Sequence, residues 1–313
     1  MEWVIGVDVG GTQIRAILAD RAGQIQYHTR VATAPSREPR LMIEQILHCV
    51  AQVRAHLPDS ASPMGIGIAA PGPLDPYEGV ILAAPNMPGW INIPLRAIIA
   101  EQTGLTVVLG NDANAAALGE WHFGGGVGKT HLVYITVSTG IGAGVIVDGR
   151  LLLGRLGAAG ELGHVIISLE QRQVWEQLAS GTALGAAAAR VMADTPESLL
   201  HQYATPQTVT AAHVAMSAAQ GDPLCSQLMQ RQAELLGIGL VNALHLFSPE
   251  RILLGGSVIT ANPFLLTTAR QVAHELVLAD FYRDVPIEVA QLGEHAGVLG
   301  AVALFWYQHK GQA

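Results

Sequence analysis

Apolar runs and turn-forming clusters divide this chain into recognisable pieces. Trp3–Val9, Ile14–Ala19 and Ile25–Ala32 read as strands, the first two joined by Gly10-Gly11-Thr12. Helical spacing follows from Glu38 to His56, where Leu41, Ile43, Ile46, Leu47, Val50 and Val53 recur. Met64–Ala69 reads as a short buried strand. Residues 71–95, with six prolines, read as an ordered, turn-rich loop. Thr106–Leu109 is a strand pattern, and Asn111–Trp121 a helix closed by Gly124-Gly125-Gly126. Strands Leu132–Val137 and Gly144–Val147 precede a helical stretch from Gly181 to about Leu246, broken near Pro196, Pro206 and Pro223. A strand Arg251–Leu254, a helix near Pro263–Leu278, a strand Ile287–Ala290 and a helix Val298–Tyr307 complete the pattern.

The strand–glycine turn–strand plan occurs twice. Shifting the first copy by 130 positions sets Val7 on Val137 and Gly10 on Gly140. Two such hairpins suggest two phosphate-binding turns in a two-lobed ATP-using protein. Hairpins followed by helices and single strands, twice over, predict two α/β lobes rather than one doubly wound sheet. We expect a small lobe over 1–118, rejoined by the last helix (298–313), and a large lobe over 119–297.

The length of 313 residues allows two sizeable cores. Half the residues are hydrophobic and only 13% are charged, so the surface is lean in charge or partly covered by a second subunit. A homodimer is therefore expected. The net charge of −8 and the lack of a basic run argue against a nucleic-acid partner. No apolar run is long enough for a membrane helix, and the chain enters a strand without a leader-like segment, so a cytoplasmic location is expected. Cys49 and Cys225 lie far apart in helix-like segments and read as buried thiols.

Several residues carry candidate chemistry. Glycines at 10 and 11 let backbone N–H groups approach phosphate oxygens, and Asp8 at the strand end suits Mg²⁺ held through water. The same residues also make an ordinary hairpin turn. A dinucleotide fingerprint is excluded because a strand, not a helix, follows the glycines. Gly124-Gly125-Gly126-Val127-Gly128-Lys129-Thr130 imitates a P-loop, but its first required glycine falls on Phe123 and its strand–helix order is reversed. Asp112, at a helix start, suits a base taking a proton from an attacking hydroxyl, and Asn111 suits a polyol. Asn and Asp are also the favoured helix N-caps. Glu161, His164 and Glu176 offer sugar-binding groups, or else solvated surface positions. Gly255 and Gly256, after a strand, let a ligand near the backbone, or simply make a tight turn. Gly297 carries the same ambiguity.

The order of the motifs is more specific than any one of them. Asp-x-Gly-Gly-Thr at 8–12 is followed by Ala-Pro-Gly-Pro-Leu-Asp at 70–75 and Pro-Asn-Met-Pro-Gly-Trp at 85–90. Asn-Asp-Ala-Asn at 111–114 and Ser-Thr-Gly-Ile-Gly-Ala-Gly at 138–144 come next. Gly-Ala-Ala-Gly-Glu-Leu-Gly-His at 157–164 and Leu-Gly-Gly-Ser at 254–257 close the series. The chain thus resembles the ROK family of sugar kinases, bacterial glucokinases above all. The resemblance implies an α/β, two-lobed actin/hexokinase-like ATPase fold of duplicated ribonuclease H-like domains with an interlobe cleft. It implies ATP and transient Mg²⁺, and phosphorylation of a hexose 6-hydroxyl, glucose first. Fructose, mannose, allose, an N-acetylated amino sugar, or a non-catalytic sugar-sensing role remain alternatives. It carries the base role to Asp112 and sugar contacts to Asn111, Glu161, His164, Glu176, Gly72 and Asn86. Phosphate contacts fall on Asp8, Gly10, Gly11, Thr12, Thr139, Gly140 and Gly142, and nucleotide contacts on Gly255 and Gly256.

Three departures stand out. Similar kinases carry a cysteine-rich zinc segment where residues 165–175 here read Val-Ile-Ile-Ser-Leu-Glu-Gln-Arg-Gln-Val-Trp. No thiolate site can be built there, so no structural zinc is expected and His164 keeps at most a sugar role. Gln13 stands where a lysine often follows the first motif. Family regulators carry an N-terminal DNA-binding domain, for which no room is seen before Trp3.

Overall fold

The computed structural model describes residues 2–58, 61–84, 87–170 and 172–309. The chain opens with β1 (Trp3–Val9), β2 (Gln13–Asp20), β3 (Ile25–Ala32), α1 (Pro39–Arg54) and β4 (Pro63–Ala70). It continues through β5 (Leu74–Asp75), β6 (Val80–Ala83), β7 (Ile91–Ile93), α2 (Leu95–Thr103), β8 (Val107–Asn111) and α3 (Asp112–Phe123). Next come β9 (Leu132–Val137), β10 (Ile141–Val147), β11 (Arg150–Leu151), β12 (Ile166–Ser168) and β13 (Gln173–Val174). The helices α4 (Trp175–Ala179), α5 (Gly181–Met192), α6 (Leu200–Tyr203), α7 (Ala211–Ala219) and α8 (Pro223–Phe247) follow. The chain ends with β14 (Arg251–Gly255), α9 (Ser257–Ala261), α10 (Leu265–Leu276), β15 (Ile287–Val289) and α11 (Ala296–Gln308).

Two compact units result. One comprises Met1–Lys129, Gly144–Gly160 and Gln291–Ala313; the other comprises Thr130–Ala143 and Glu161–Ala290.

In the first unit a mixed sheet has the order β3-β2-β1-β4-β8. β1 pairs antiparallel with β2, setting Asp8 opposite Arg15, and parallel with β4. Every residue of β1 is buried, which is why it reads as an unbroken apolar run. Its alternate residues serve two layers. Trp3, Ile5, Val7 and Val9 join a core with Met42, Ile46, Cys49, Val50 and Val53 of α1. The opposite face packs on α11, which also lies along α3. That packing needs small residues, because a Cβ on Gly67 would run into the Ala301 carbonyl oxygen. Likewise a Cβ on Gly119 of α3 would stand 2.9 Å from the Gly300 nitrogen of α11. The alanine- and glycine-rich sequence of α3 therefore buries almost its whole circumference.

Within 71–95 the described residues hold more regular structure than the sequence pattern suggested. β5, β6 and β7 form a small antiparallel sheet, and α2 begins at Leu95. Strands of two to four residues are too short for an alternating pattern to register.

In the second unit β14 pairs in parallel with β9 and with β15. The long helix α8 is capped by Asp222 and starts on Pro223, so Pro223 begins a helix rather than breaking one. Trp175 is fully buried; its Nε1–H donates to the Leu235 carbonyl at 2.9 Å, and its ring fills the space a side chain at Gly239 would need.

Candidate functional site

Two groups of candidate residues form, one within each unit. In the first, the turn after β1 closes with a hydrogen bond from Gly10 N–H to the Gln13 carbonyl at 3.0 Å. The segment after β3 is fastened to it: Thr33 Oγ donates to the Gly10 carbonyl at 2.7 Å, and Thr33 N–H donates to the Thr12 carbonyl at 2.9 Å. Gly10 and Gly11 are half-buried and Thr12 is exposed. Asp8, at the end of β1, is buried. Its Oδ2 accepts from both Nε and Nη2 of Arg15, whose Nη1 donates to the Glu294 carbonyl at 2.7 Å. Gly297 lies against the same carboxylate: a Cβ there would be 2.7 Å from Asp8 Oδ2. Asp8 is thus pinned by a guanidinium on one oxygen and closed in by the start of α11.

β4 and β8 run parallel, with Ala70 opposite Asn111. Asn111 ends β8 and caps α3: its Oδ1 accepts from the N–H of Ala113 at 3.0 Å and of Asn114 at 3.2 Å. Its Nδ2 faces Gly72, where a Cβ would stand 3.1 Å away. Cap and ligand roles are therefore compatible, because they use different atoms of one amide. Asp112 follows in the first turn of α3, exposed, with Oδ1 accepting from Ala113 N–H at 2.8 Å. Its carboxylate lies at the positive end of the helix. Asn86, also a candidate, lies outside the described residues.

In the second unit, Ser138–Ile141 is the hub. Ser138 N–H donates to the Gly140 carbonyl at 2.9 Å and closes the turn. Gly181 N–H, the first of α5, donates to the Ser138 carbonyl at 2.7 Å. Ser257 N–H donates to Ser138 Oγ at 3.0 Å. Gly256, with φ of 87°, passes so close that a Cβ would stand 2.7 Å from Thr136 Oγ1. Glu176 Oε2 accepts the Ile141 N–H at 2.7 Å, and Gly140 leaves room for that carboxylate. Gly163 packs on the Ile141 carbonyl, which brings the Glu161–His164 turn to the same place. Thr139, Gly140, Gly142, Glu161, His164, Glu176, Gly255 and Gly256 are thus gathered around one turn. His164 Nδ1 lies 3.7 Å from Glu161 Oε2, with side chains 66% and 58% exposed. Such an exposed pair contributes little stability.

Within 165–175, β12 pairs antiparallel with β13, and Trp175 N–H donates to the Val165 carbonyl at 2.9 Å. Among the described residues no group of three or more His, Cys, Asp or Glu side chains is placed to hold a metal. Both cysteines are buried, and burial pushes each thiol up to about 11, unlike a metal-binding thiolate.

Comparison with known proteins identifies the lineage. Residues 4–308 match the ROK family. The chain belongs to the ROK family. This ROK chain is 32% identical over 309 residues to the glucokinase of Thermotoga maritima, covering 96% of each. A crystal structure of a ROK family glucokinase from Streptomyces griseus, in complex with glucose and AMPPNP, superposes with a TM-score of 0.83 at 33% identity. The match covers 96% of this ROK chain and 98% of that one. The ROK chain is also 29% identical to the xylose repressor of Caldicellulosiruptor bescii, covering 96% of itself and 77% of the repressor. Its fold is the actin/hexokinase-like fold of the ROK sugar kinases.

Sequence reasoning passed over several residues of the ROK chain. Ser138 braces the second turn. Arg15 holds Asp8. Glu120, fully buried in α3, accepts from Gly125 N–H at 2.9 Å and Leu292 N–H at 2.7 Å. It ties the glycine-rich stop of α3 to the segment leading into α11. Its one sequence signal is a carboxylate inside an apolar helix, four residues before a run of glycines.

Proposed function

We propose that this protein is an ATP-dependent hexokinase that transfers the γ-phosphoryl group to the 6-hydroxyl of a hexose, with glucose as its substrate. One observation carries the reading. Asp112 stands exposed in the first turn of α3, beside an Asn111 whose Oδ1 is spent on the helix cap and whose Nδ2 points away from it. That arrangement suits a base beside a sugar-binding amide. The glucokinase relatives, and the glucose and AMPPNP held by the Streptomyces griseus enzyme, support it.

In this reading Asp112 takes the proton of the 6-hydroxyl as its oxygen attacks the γ-phosphorus in line, and ADP leaves. Asn111, Glu161, His164 and Glu176 contact the sugar, with Gly72 and Asn86 beside them. Gly10–Thr12 and Thr139–Gly142 present backbone N–H groups to phosphate, and Gly255–Gly256 lie on the nucleotide side. A carboxylate with one oxygen held by Arg15 fits an outer-shell role, so Asp8 would hold Mg²⁺ through water on Oδ1. Magnesium bound with the nucleotide would offset phosphate charge.

The repressor relatives, and the β12–β13 pair where similar kinases carry a zinc segment, favour a second reading, a sugar sensor without turnover. A coupled ATP-consumption assay over glucose, fructose, mannose, allose and N-acetylated amino sugars separates the two. Turnover of glucose supports the kinase. Sugar binding with no ATP consumed across the panel supports the sensor.

A further inference from the structure

The first glycine turn lacks a cation in its own sequence. Gln13 follows Thr12, and Arg15 is committed to Asp8 and the Glu294 carbonyl. A phosphoryl group docking there would gain, beside the metal ion, from positive charge supplied by another part of the chain. Arg37, which no motif singled out, is in place. A Cβ on Gly11 would lie 3.8 Å from Arg37 Cζ and 3.9 Å from each of its terminal nitrogens. Three nearly equal distances mean that the guanidinium plane lies over Gly11, with its N–H donors directed sideways in that plane.

The backbone is built to hold it. Arg37 has φ of 53°, a conformation that non-glycine residues rarely adopt. It is kept there by Arg37 N–H donating to the Ala34 carbonyl at 2.9 Å and by Trp90 Nε1–H donating to the Arg37 carbonyl at 2.9 Å. Trp90 is fully buried. Upstream, Thr33 is bonded to Gly10 and Thr12, and Ala34 N–H donates to Gln45 Oε1 at 3.0 Å. Glycine would adopt this φ at less cost, so an arginine here points to a use for its side chain.

We propose that Arg37 is a phosphoryl-binding residue of the first glycine turn, its guanidinium supplying the positive charge that Gln13 does not. It would bind the group in transit, as the γ-phosphate of the nucleotide or as the phosphate of the hexose product. This deepens the kinase reading and rests on it. Guanidinium–phosphate hydrogen bonds are charge-assisted and among the stronger ones available.

The test is binding, measured by calorimetry on the full chain with AMPPNP, ADP, glucose 6-phosphate and glucose as probes. Arg37→Ala is expected to weaken AMPPNP about ten-fold or more, since hydrogen bonds to charged groups reach that size. ADP and glucose affinities should stay nearly unchanged, and Arg37→Lys should recover part of the loss. Melting temperatures of wild type and both variants are measured alongside, so that folded variants are compared with folded wild type. A loss confined to glucose 6-phosphate assigns the cation to the transferred group after transfer. Unchanged binding of both AMPPNP and glucose 6-phosphate by Arg37→Ala overturns the proposal. A wild-type chain that binds no nucleoside triphosphate removes the kinase reading, and this inference with it.

Discussion

The Glu176 carboxylate accepts the backbone N–H of Ile141 at 2.7 Å. One side chain proposed for the sugar thereby also fixes the turn proposed for phosphate. The two roles separate by substitution. Glu176→Gln keeps an oxygen acceptor for Ile141 but loses the charge, so hexose affinity should fall while AMPPNP affinity holds. Glu176→Ala leaves the N–H without its partner, at a cost of about 1–3 kcal/mol where water cannot replace it. Both affinities should then fall. Calorimetry with each ligand checks this, and equal nucleotide affinity in the two variants would separate the turn from Glu176.

Asp222 is the buried cap of α8, bonded by Cys225 N–H at 2.9 Å, Ser198 Oγ at 2.7 Å and Leu199 N–H at 2.5 Å. Burial works to raise its carboxyl, and these bonds outweigh burial, leaving it below its ordinary 3.8. A folded value below the unfolded one means the stabilisation is complete above 3.8 and is lost as pH falls further, through the folded value. Asp222→Ala should lower stability, and with it the melting temperature, at neutral pH: about 1 kcal/mol for the cap bond from Cys225 plus about 1–3 kcal/mol for each of the stranded Ser198 and Leu199 donors. The gap between variant and wild type should narrow below pH 3.8. A gap that widens on acidification would contradict the assignment.

Cys49 and Cys225 are pushed up to about 11 by burial, with the nearby Asp222 charge adding to the effect at Cys225. Neither thiol should react with an aromatic disulfide reagent at pH 8 in the native protein, and both should react once it is unfolded. Rapid native labelling would show that one of them is accessible.

Gly67 faces the Ala301 carbonyl so closely that any Cβ displaces α11. Gly67→Ala should cost on the order of 4 kcal/mol or abolish folding, at the upper end of single-site effects. Gly104, with φ of 69° and open space around it, is the control. Gly104→Asn should cost well under 1 kcal/mol, since asparagine tolerates the left-handed region. Thermal denaturation of both compares them.

Much of this was legible in the sequence because the signals are local. β3 and β9 fall where the apolar pattern put them, at Ile25–Ala32 and Leu132–Val137. The helix after Asn111 was marked by its cap and by the glycines that stop it. The small sheet β5-β6-β7 was not legible, since its strands are shorter than any periodicity. Nor was the return of Gly144–Gly160 to the first unit, which depends on packing rather than on residue pattern. The family motifs carried the candidate residues, but the couplings between them are long-range. Glu176 to Ile141 across 35 positions and Glu120 to Leu292 across 172 positions leave no local trace. Arg37 is the sharpest case, because an arginine in a polar loop looks like any solvated charge until the turn beneath it is seen.

The central claim is that Asp112 is the base of a hexose kinase. The most direct measurement is ATP consumption by wild type and Asp112→Asn with glucose, alongside calorimetric glucose binding by both. Loss of a general base is expected to lower turnover by about 10²–10⁴-fold while glucose affinity changes little. Wild-type turnover in Asp112→Asn, with glucose bound and phosphorylated as before, would contradict it.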